Sequence, residues 1–336
     1  MDESRYANDI DARIAKRSVR TRWIVLAGFV ILVALVPAAR WLSTYNYVLQ
    51  VGIGILMWIA ITSSWNILGG YTGYISLGHN VFLGIGAYVG GMVLVEFGIS
   101  PFVTAPLAGL VAMVFGLIAG LITFRTKGPA FIVATIAMLL IVALLMDTWD
   151  YIGGSNGLSL PLPPFPVEWI KVPFYYAMLA AAILAVLLGH RVAHSKMGLA
   201  LRAIGADQVK AEVAGIDTRR FKLIAFGLSA FFIGVVGSLW GYSLSYIRPT
   251  AFFSIAIAVQ MVLMVIVGGR GTVAGPVIGA IFIIVLNELS ITYLGASELN
   301  LAFTGGILIL ALLFFPLGVV GTLRSIGRLP SWLDWD

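Results

Sequence analysis

Apolar runs long enough to cross a hydrocarbon core of about 30 Å recur along the whole chain, and no other feature limits its fold so tightly. Read against glycine, proline and charge punctuation they number ten, near residues 23–42, 47–68, 79–98, 101–124, 129–149, 173–193, 221–246, 251–268, 273–294 and 300–322. Runs of about twenty residues specify helices, since a membrane barrel uses alternating strands of about ten. The expected class is therefore all-α: a polytopic integral membrane protein of about ten transmembrane helices with glycine-rich helix breaks. A soluble fold is excluded by composition, because 60% hydrophobic and 11% charged residues could not cover a water-facing surface. With no cysteine and three histidines, disulfides and thiolate sites are removed and no metal site is expected.

Charge sets the expected topology. Residues 1–22 hold six Lys/Arg and four Asp/Glu, and the apolar run that follows is longer than that of a cleaved signal, so this segment reads as a cytoplasmic tail before a signal anchor. The expected division is a tail at 1–22, a transmembrane region at 23–322 containing a cytoplasmic loop at 194–220, and a second tail at 323–336. With both termini inside, eighteen of the 21 Lys and Arg fall on the inner side. Arg40, Lys171 and Arg248 make up the other three. That bias is the positive-inside pattern. The longest outer loop, "DYIGGSNGLSLPLPPFPVEWIKVP" at 150–173, reads as a connector or as a docked cover for the outer mouth.

The inner loop "HSKMGLALRAIGADQVKAEVAGIDTRRFK", 194–222, is amphipathic. Leu199, Leu201, Ile204, Val209, Val213 and Ile216 recur at helical spacing, and Gly205 and Gly215 divide the segment into two short helices. Its polar face mixes acids and bases, unlike a helix lying on anionic lipid, which favours docking against a protein partner.

Two stretches break the apolar pattern with glycine: "GGYTGYISLGHN" at 69–80 and "VGGRGTVAGPVIGA" at 267–280. Gly69, Gly70, Gly73 and Gly78 in the first, and Gly268, Gly269, Gly271 and Gly275 in the second, permit turns at positive φ or close helix contact. Non-helical backbone at membrane depth survives where protein or a wet cavity surrounds it, and in transporters such breaks line the route. Tyr71, Thr72, Tyr74, Ser76, His79 and Asn80 are then candidate polar lining, with tight helix packing as the competing reading. Glu288, near the outer end of its span, is a further pathway candidate because an intramembrane carboxylate is costly. Asn66 and Gln260 are interior polar residues suited to lining or to helix-to-helix hydrogen bonds. No Gly-Lys dipeptide occurs, so neither stretch is a phosphate loop.

Three segments in order, "GYTGYISLGHNVFLGIGAYVGG", "SKMGLALRAIGADQVKAEVAGIDTRRFKLIAFGLSAFFIGVVGSL" and "VGGRGTVAGPVIGAI", closely resemble the LivM-type permease subunits of ABC importers for branched-chain amino acids and related small solutes. The resemblance spans about residues 45–325. It implies a bacterial inner-membrane permease rather than an enzyme, working with a homologous second permease, two cytoplasmic ATPase subunits and an extracytoplasmic substrate-binding protein. It also implies lipid and no nucleic acid as surroundings, and no cofactor on this chain, ATP and Mg being held by the partner subunits. The segment 198–217 would be the coupling segment seated on an ATPase, with Arg202, Ala203, Gly205, Ala206, Lys210, Ala211, Val213, Gly215 and Ile216 at or beside the contact. Members commonly carry glutamine where this chain has Tyr74 and alanine where it has Asn80, so urea, short amides or other amino acids are alternative solutes. An ion-coupled carrier is the rival class, for which Glu288 is the one plausible intramembrane carboxylate.

Overall fold

The computed structural model of the chain describes residues 28–38 and 44–295 and, beyond them, 305–307, 309–310, 313–315, 317–327, 330 and 335. A short apolar helix, α1 (Gly28–Ala38), precedes α2 (Tyr45–Thr72), α3 (Asn80–Phe97), α4 (Pro101–Thr123), α5 (Pro129–Thr148) and α6 (Lys171–Ala193). Two short helices follow, α7 (Lys196–Ala206) and α8 (Gln208–Val213), then α9 (Thr218–Leu244), α10 (Pro249–Phe252), α11 (Ile255–Gly268) and α12 (Ala274–Leu294). Among the described residues eight spans are long and apolar enough to cross a membrane, α10 and α11 together making one. They match the second to the ninth expected spans. The first expected span is described only over 28–38 and the tenth at fourteen of its 23 positions; the tail at 1–22 lies outside the described residues, as does half of 323–336.

Local chemistry explains where the spans stop. The Ser100 hydroxyl accepts from the Phe102 amide and Pro101 occupies the first helical position, so α4 begins there. Pro129 opens α5 in the same way behind Gly128. Asp217 caps α9 through the Arg220 amide, and Ser254 caps α11 through the Ala256 amide. Gly98, at φ 67°, closes α3.

The bundle is built round α9, which packs along α3 and α4 and against α2 and α6. Small residues let these backbones close in, the means by which helices associate where lipid removes the hydrophobic drive. A Cβ at Gly86 of α3 would strike the Gly234 carbonyl of α9, and one at Gly234 would lie 2.5 Å from the Ala112 Cβ of α4. Three helices thus meet at one glycine. At the opposite end of α9 from α7 and α8, the 150–173 loop is tied down rather than free. Its strand β1 (Leu158–Ser159) pairs antiparallel with β2 (Tyr246–Ile247), and the Leu160 amide donates to the Ser245 carbonyl at 2.9 Å.

Overpacking at that junction gives a direct check. Gly234→Ala is expected to cost about 1–3 kcal/mol, outweighing the gain in helix propensity, and to lower the thermal midpoint of the detergent-purified protein. Gly189→Ala in α6, where a Cβ meets nothing within 4 Å, should leave the midpoint unchanged or raise it.

Candidate functional site

The first glycine stretch breaks later than the sequence predicts. Gly69 and Gly70 are helical residues of α2, whose last turn closes on the bond from the Gly73 amide to the Gly69 carbonyl. Gly73, at φ 72°, then turns the chain out of the helix. Residues 73–79 run without regular structure until α3 begins at Asn80. His79 at the end of this segment contacts Ser229 of α9, Nε2 to Oγ 3.0 Å. Ser229 lies eleven residues into α9, about 16 Å along the helix from the end carrying α7 and α8. The break therefore climbs from one end of the bundle to its middle.

A second helix starts at the same depth. Asn80 Nδ2 donates to the Ser254 carbonyl at 2.9 Å, and Ser254 is the N-cap of α11. The interruption between α10 and α11, at Phe253 and Ser254, has no counterpart in the sequence reading. Its signal was a serine ahead of an apolar run, with Pro249 opening the helix before it. Two helix N-termini, each the partially positive end of a helix dipole, thus meet in mid-bundle, although the Val81 and Phe82 amides donate to the Gly78 and His79 carbonyls and the Ala256 amide to the Ser254 hydroxyl. The Ser254 carbonyl can only accept, so Asn80 Oδ1 must point the other way. It is buried and has no partner among the described residues.

The second glycine stretch is held by Asn66 of α2. Its Nδ2 donates to the Thr272 carbonyl at 2.9 Å and its Oδ1 accepts from the Gly271 amide at 3.0 Å. Gly269 and Gly271, at φ 126° and 74°, make the turn. Gly268 ends α11, and Gly275 lies inside α12, where its amide donates to Thr272 Oγ1 at 3.0 Å. Gly70 permits the approach, since a Cβ there would lie 2.8 Å from the Gly271 nitrogen and collide with Asn66. Gly69, Gly70 and Gly275 are thus packing glycines within helices.

The candidate lining residues divide by depth. Ser76, His79 and Asn80 are fully buried at the middle. There Trp65 Nε1 donates to the Ser76 carbonyl at 2.9 Å, the Ser76 hydroxyl accepts from the amide of Gly78 at 3.3 Å, and His79 is boxed by the rings of Trp65, Phe82 and Phe226. Tyr71, Thr72 and Tyr74 sit nearer α7 and α8. Thr72 Oγ1 donates to the Leu68 carbonyl at 2.7 Å and accepts from the Tyr74 amide. Tyr71 lies under the Arg202 guanidinium at 5.6 Å, and Tyr74 Oη donates to Gln208 Oε1 at 2.5 Å. Glu288 is not brought to either break. It accepts from Tyr47 Oη at 2.8 Å near the far end of α2, fourteen residues or about 21 Å along α12.

The loop forms two short helices as expected, but they part at Asp207 rather than Gly205. Asp207 Oδ1 accepts from the Val209 and Lys210 amides, capping α8. These bonds, the Lys210 amide first, hold its carboxyl below the usual range. Gly205 stays helical and lies against the Tyr71 carbonyl, where a Cβ would not fit. Arg202 Nη2 donates to the Ala193 carbonyl, so α7 is fastened to α6 and to the end of α2. Glu212 accepts from Gln208 and Thr218, which hold its carboxyl low. Ala211 is the buried residue of α8, Ala203 and Ile216 are half-buried, and Ala206, Lys210 and Gly215 are exposed. Val209 and Val213 are 63% and 86% exposed, an apolar i, i+4 pair facing away from the bundle. Val209 belongs to the amphipathic pattern of the loop but not to the expected contact set.

The family described as branched-chain amino acid transport system, permease component, matches residues 47–312. The chain belongs to this family. It is 25% identical to the high-affinity branched-chain amino acid transport system permease protein LivM of Escherichia coli, over 82% of this chain and 70% of that one. It is 28% identical to a probable branched-chain amino acid transport permease protein LivH of Methanocaldococcus jannaschii, over 74% and 83%. The ribose import permease protein RbsC of Haemophilus influenzae is 27% identical over 60% and 64%. No solved structure matches the chain.

Asn66 gives a test of how the turn at 269–273 is held. Asn66→Leu fills a similar volume but leaves the Gly271 amide and Thr272 carbonyl without that partner, at about 1–3 kcal/mol for each buried group. The expected result is a lower thermal midpoint and faster proteolysis at 269–273, read by limited digestion and mass spectrometry.

Proposed function

We propose that this chain is one of two homologous permease subunits of an ATP-driven importer that moves branched-chain amino acids, or a closely related small polar solute, across a bacterial inner membrane by alternating access. Both termini lie in the cytoplasm in this reading. The chain binds no cofactor, and ATP with its Mg is hydrolysed on two separate cytoplasmic subunits. A soluble extracytoplasmic protein delivers the solute to the end covered by the 150–173 loop. Family membership across residues 47–312 supports the permease role.

The observation that carries the coupling half is the exposed pair Val209 and Val213 on α8. An apolar i, i+4 pair beside Lys210 and Glu212 suits a groove on a protein rather than water. For the route, the meeting of α3 and α11 is the supporting feature. Paired helix N-termini favour a carboxylate, and the unpartnered Asn80 Oδ1 accepts from an ammonium. A zwitterion satisfies both. Ser76, His79 and Asn80 are buried in this conformation, so passage requires the two breaks to separate. Glu288, remote from both, takes no part in binding there, which removes the carboxylate an ion-coupled carrier would need at that depth.

The test is co-expression with the ATPase subunits. Val209→Glu together with Val213→Glu should reduce ATPase copurification at least tenfold while the chain stays in the membrane fraction. Retained association removes the coupling assignment. Solute-stimulated ATP hydrolysis by the reconstituted complex, compared for leucine, other amino acids and urea, identifies the solute; uphill uptake by this chain alone on an ion gradient refutes the importer.

A further inference from the structure

Lys222, in the second turn of α9, is counted from sequence only as one of the inner-side positive charges. The structure buries it. Its side chain is 2% exposed, and among the described residues no carboxylate pairs with its nitrogen. Instead Nζ donates to Tyr74 Oη at 3.2 Å and to Gln208 Oε1 at 3.3 Å. It also lies 4.4 Å from the centre of the Tyr74 ring and 5.3 Å from that of Phe124. Tyr74 Oη closes the triangle on Gln208. The corners come from three different elements: Tyr74 from the 73–79 break, Gln208 from the first position of α8, and Lys222 from α9.

The network extends outward through α8. Gln208 Nε2 donates to Glu212 Oε1 at 2.7 Å and to Thr218 Oγ1 at 3.3 Å, and Thr218 Oγ1 donates to Glu212 Oε1 at 2.8 Å. Glu212 stands beside the exposed Val213. A continuous chain of hydrogen bonds thus runs from the helix that presents the apolar pair to the segment that climbs to His79 and Asn80. A buried ammonium satisfied by neutral oxygens and ring faces is an expensive way to hold a fold, since an apolar side chain of the same volume packs there without desolvation. What the cation adds is a joint: three donors on one atom bind two elements at once.

We infer that Lys222 is a positioning residue that locks the 73–79 break to α8, so that a displacement of α8 by its partner moves the break as one body with it. This rests on the permease reading above. Coupling in this account is carried by the Tyr74–Lys222–Gln208 triangle and not by general rigidity of the bundle. Tyr74 is then the break's handle rather than part of the solute's lining.

The experiment uses the full complex in proteoliposomes and measures solute taken up per ATP hydrolysed. Lys222→Met keeps the volume and removes the charge. The expected result is normal assembly, basal ATP hydrolysis within twofold of the natural protein and at least a tenfold drop in solute per ATP, with Lys222→Arg restoring half or more. Uptake per ATP within twofold of the natural protein in Lys222→Met overturns the proposal. A merely structural role would lower assembly and leave that ratio unchanged. Should Lys222→Met fail to assemble, Tyr74→Cys with Gln208→Cys decides, because the chain has no cysteine of its own. Bridging the pair with a short bis-maleimide should raise uptake per ATP at least fivefold over the unbridged pair, and no rise overturns the proposal. A natural complex that shows no ATP-dependent uptake refutes the permease reading instead.

Discussion

Within a membrane a backbone amide that leaves its helix must find another partner, and the layout of this bundle follows from that requirement. The chain leaves helical geometry inside the bundle at 73–79, at 253–254 and at 269–273. Each interruption is paid for by side chains of neighbouring helices. Trp65 supports the Ser76 carbonyl, Asn80 supports that of Ser254, and Asn66 supports both Gly271 and Thr272. Two of these supports belong to α2, which is why α2 is buried over most of its length while α5 is largely exposed. Lining a break needs a wall, and α2 is that wall.

In the proposed permease the same arrangement would turn a structural cost into a binding property. Ending a helix at mid-depth leaves its first amides pointing into a region of low dielectric, where their partial charge acts more strongly than at a surface. With α3 and α11 starting beside one another, those charges add. The aromatic box round His79 and the burial of Ser76 and Asn80 enclose the junction in this conformation, so the charge is held but not displayed. In the proposed permease, opening the junction would expose that dipole charge to a solute and closing it would bury the charge again.

How much of this was legible in the chain depends on distance along the sequence. The ends of the eight observed spans lie within four residues of expectation, because Ser100, Pro101, Pro129 and Asp217 act on amides one to three residues away. The break at Ser254 escaped notice because it is a single hydroxyl in an apolar run. The glycine stretches read as equivalent, yet Gly69 and Gly70 proved helical; a close neighbour and a turn call for the same residue, and only the neighbour's position distinguishes them. The pairings that define the site join residues far apart, Asn80 with Ser254 across 174 positions and Asn66 with Thr272 across 206. No local pattern carries them. Glu288 drew attention as a costly carboxylate, and its cost is met by Tyr47, 241 positions away.

Burial and exposure in the end loop express one division of labour. Several groups there are fastened to the bundle: Arg202 on Ala193, Gly205 against Tyr71, Gln208 on Tyr74, and Ala211 buried on the inner side of α8. The groups that face outward, Val209 and Val213, make no comparable bonds and gain most from a partner's groove. A force applied at the valines therefore meets a short helix whose inner side is bonded to the break and to α7, and α7 in turn to the end of α2. α2 is anchored on α6, α9 and α12 along its length, whereas the 73–79 segment is held at a few points, among them Gly73 on Gly69, Leu77 on Thr135 and His79 on Ser229. In the proposed coupling, motion entering at α8 would pass to the 73–79 segment, which leads to the paired helix starts.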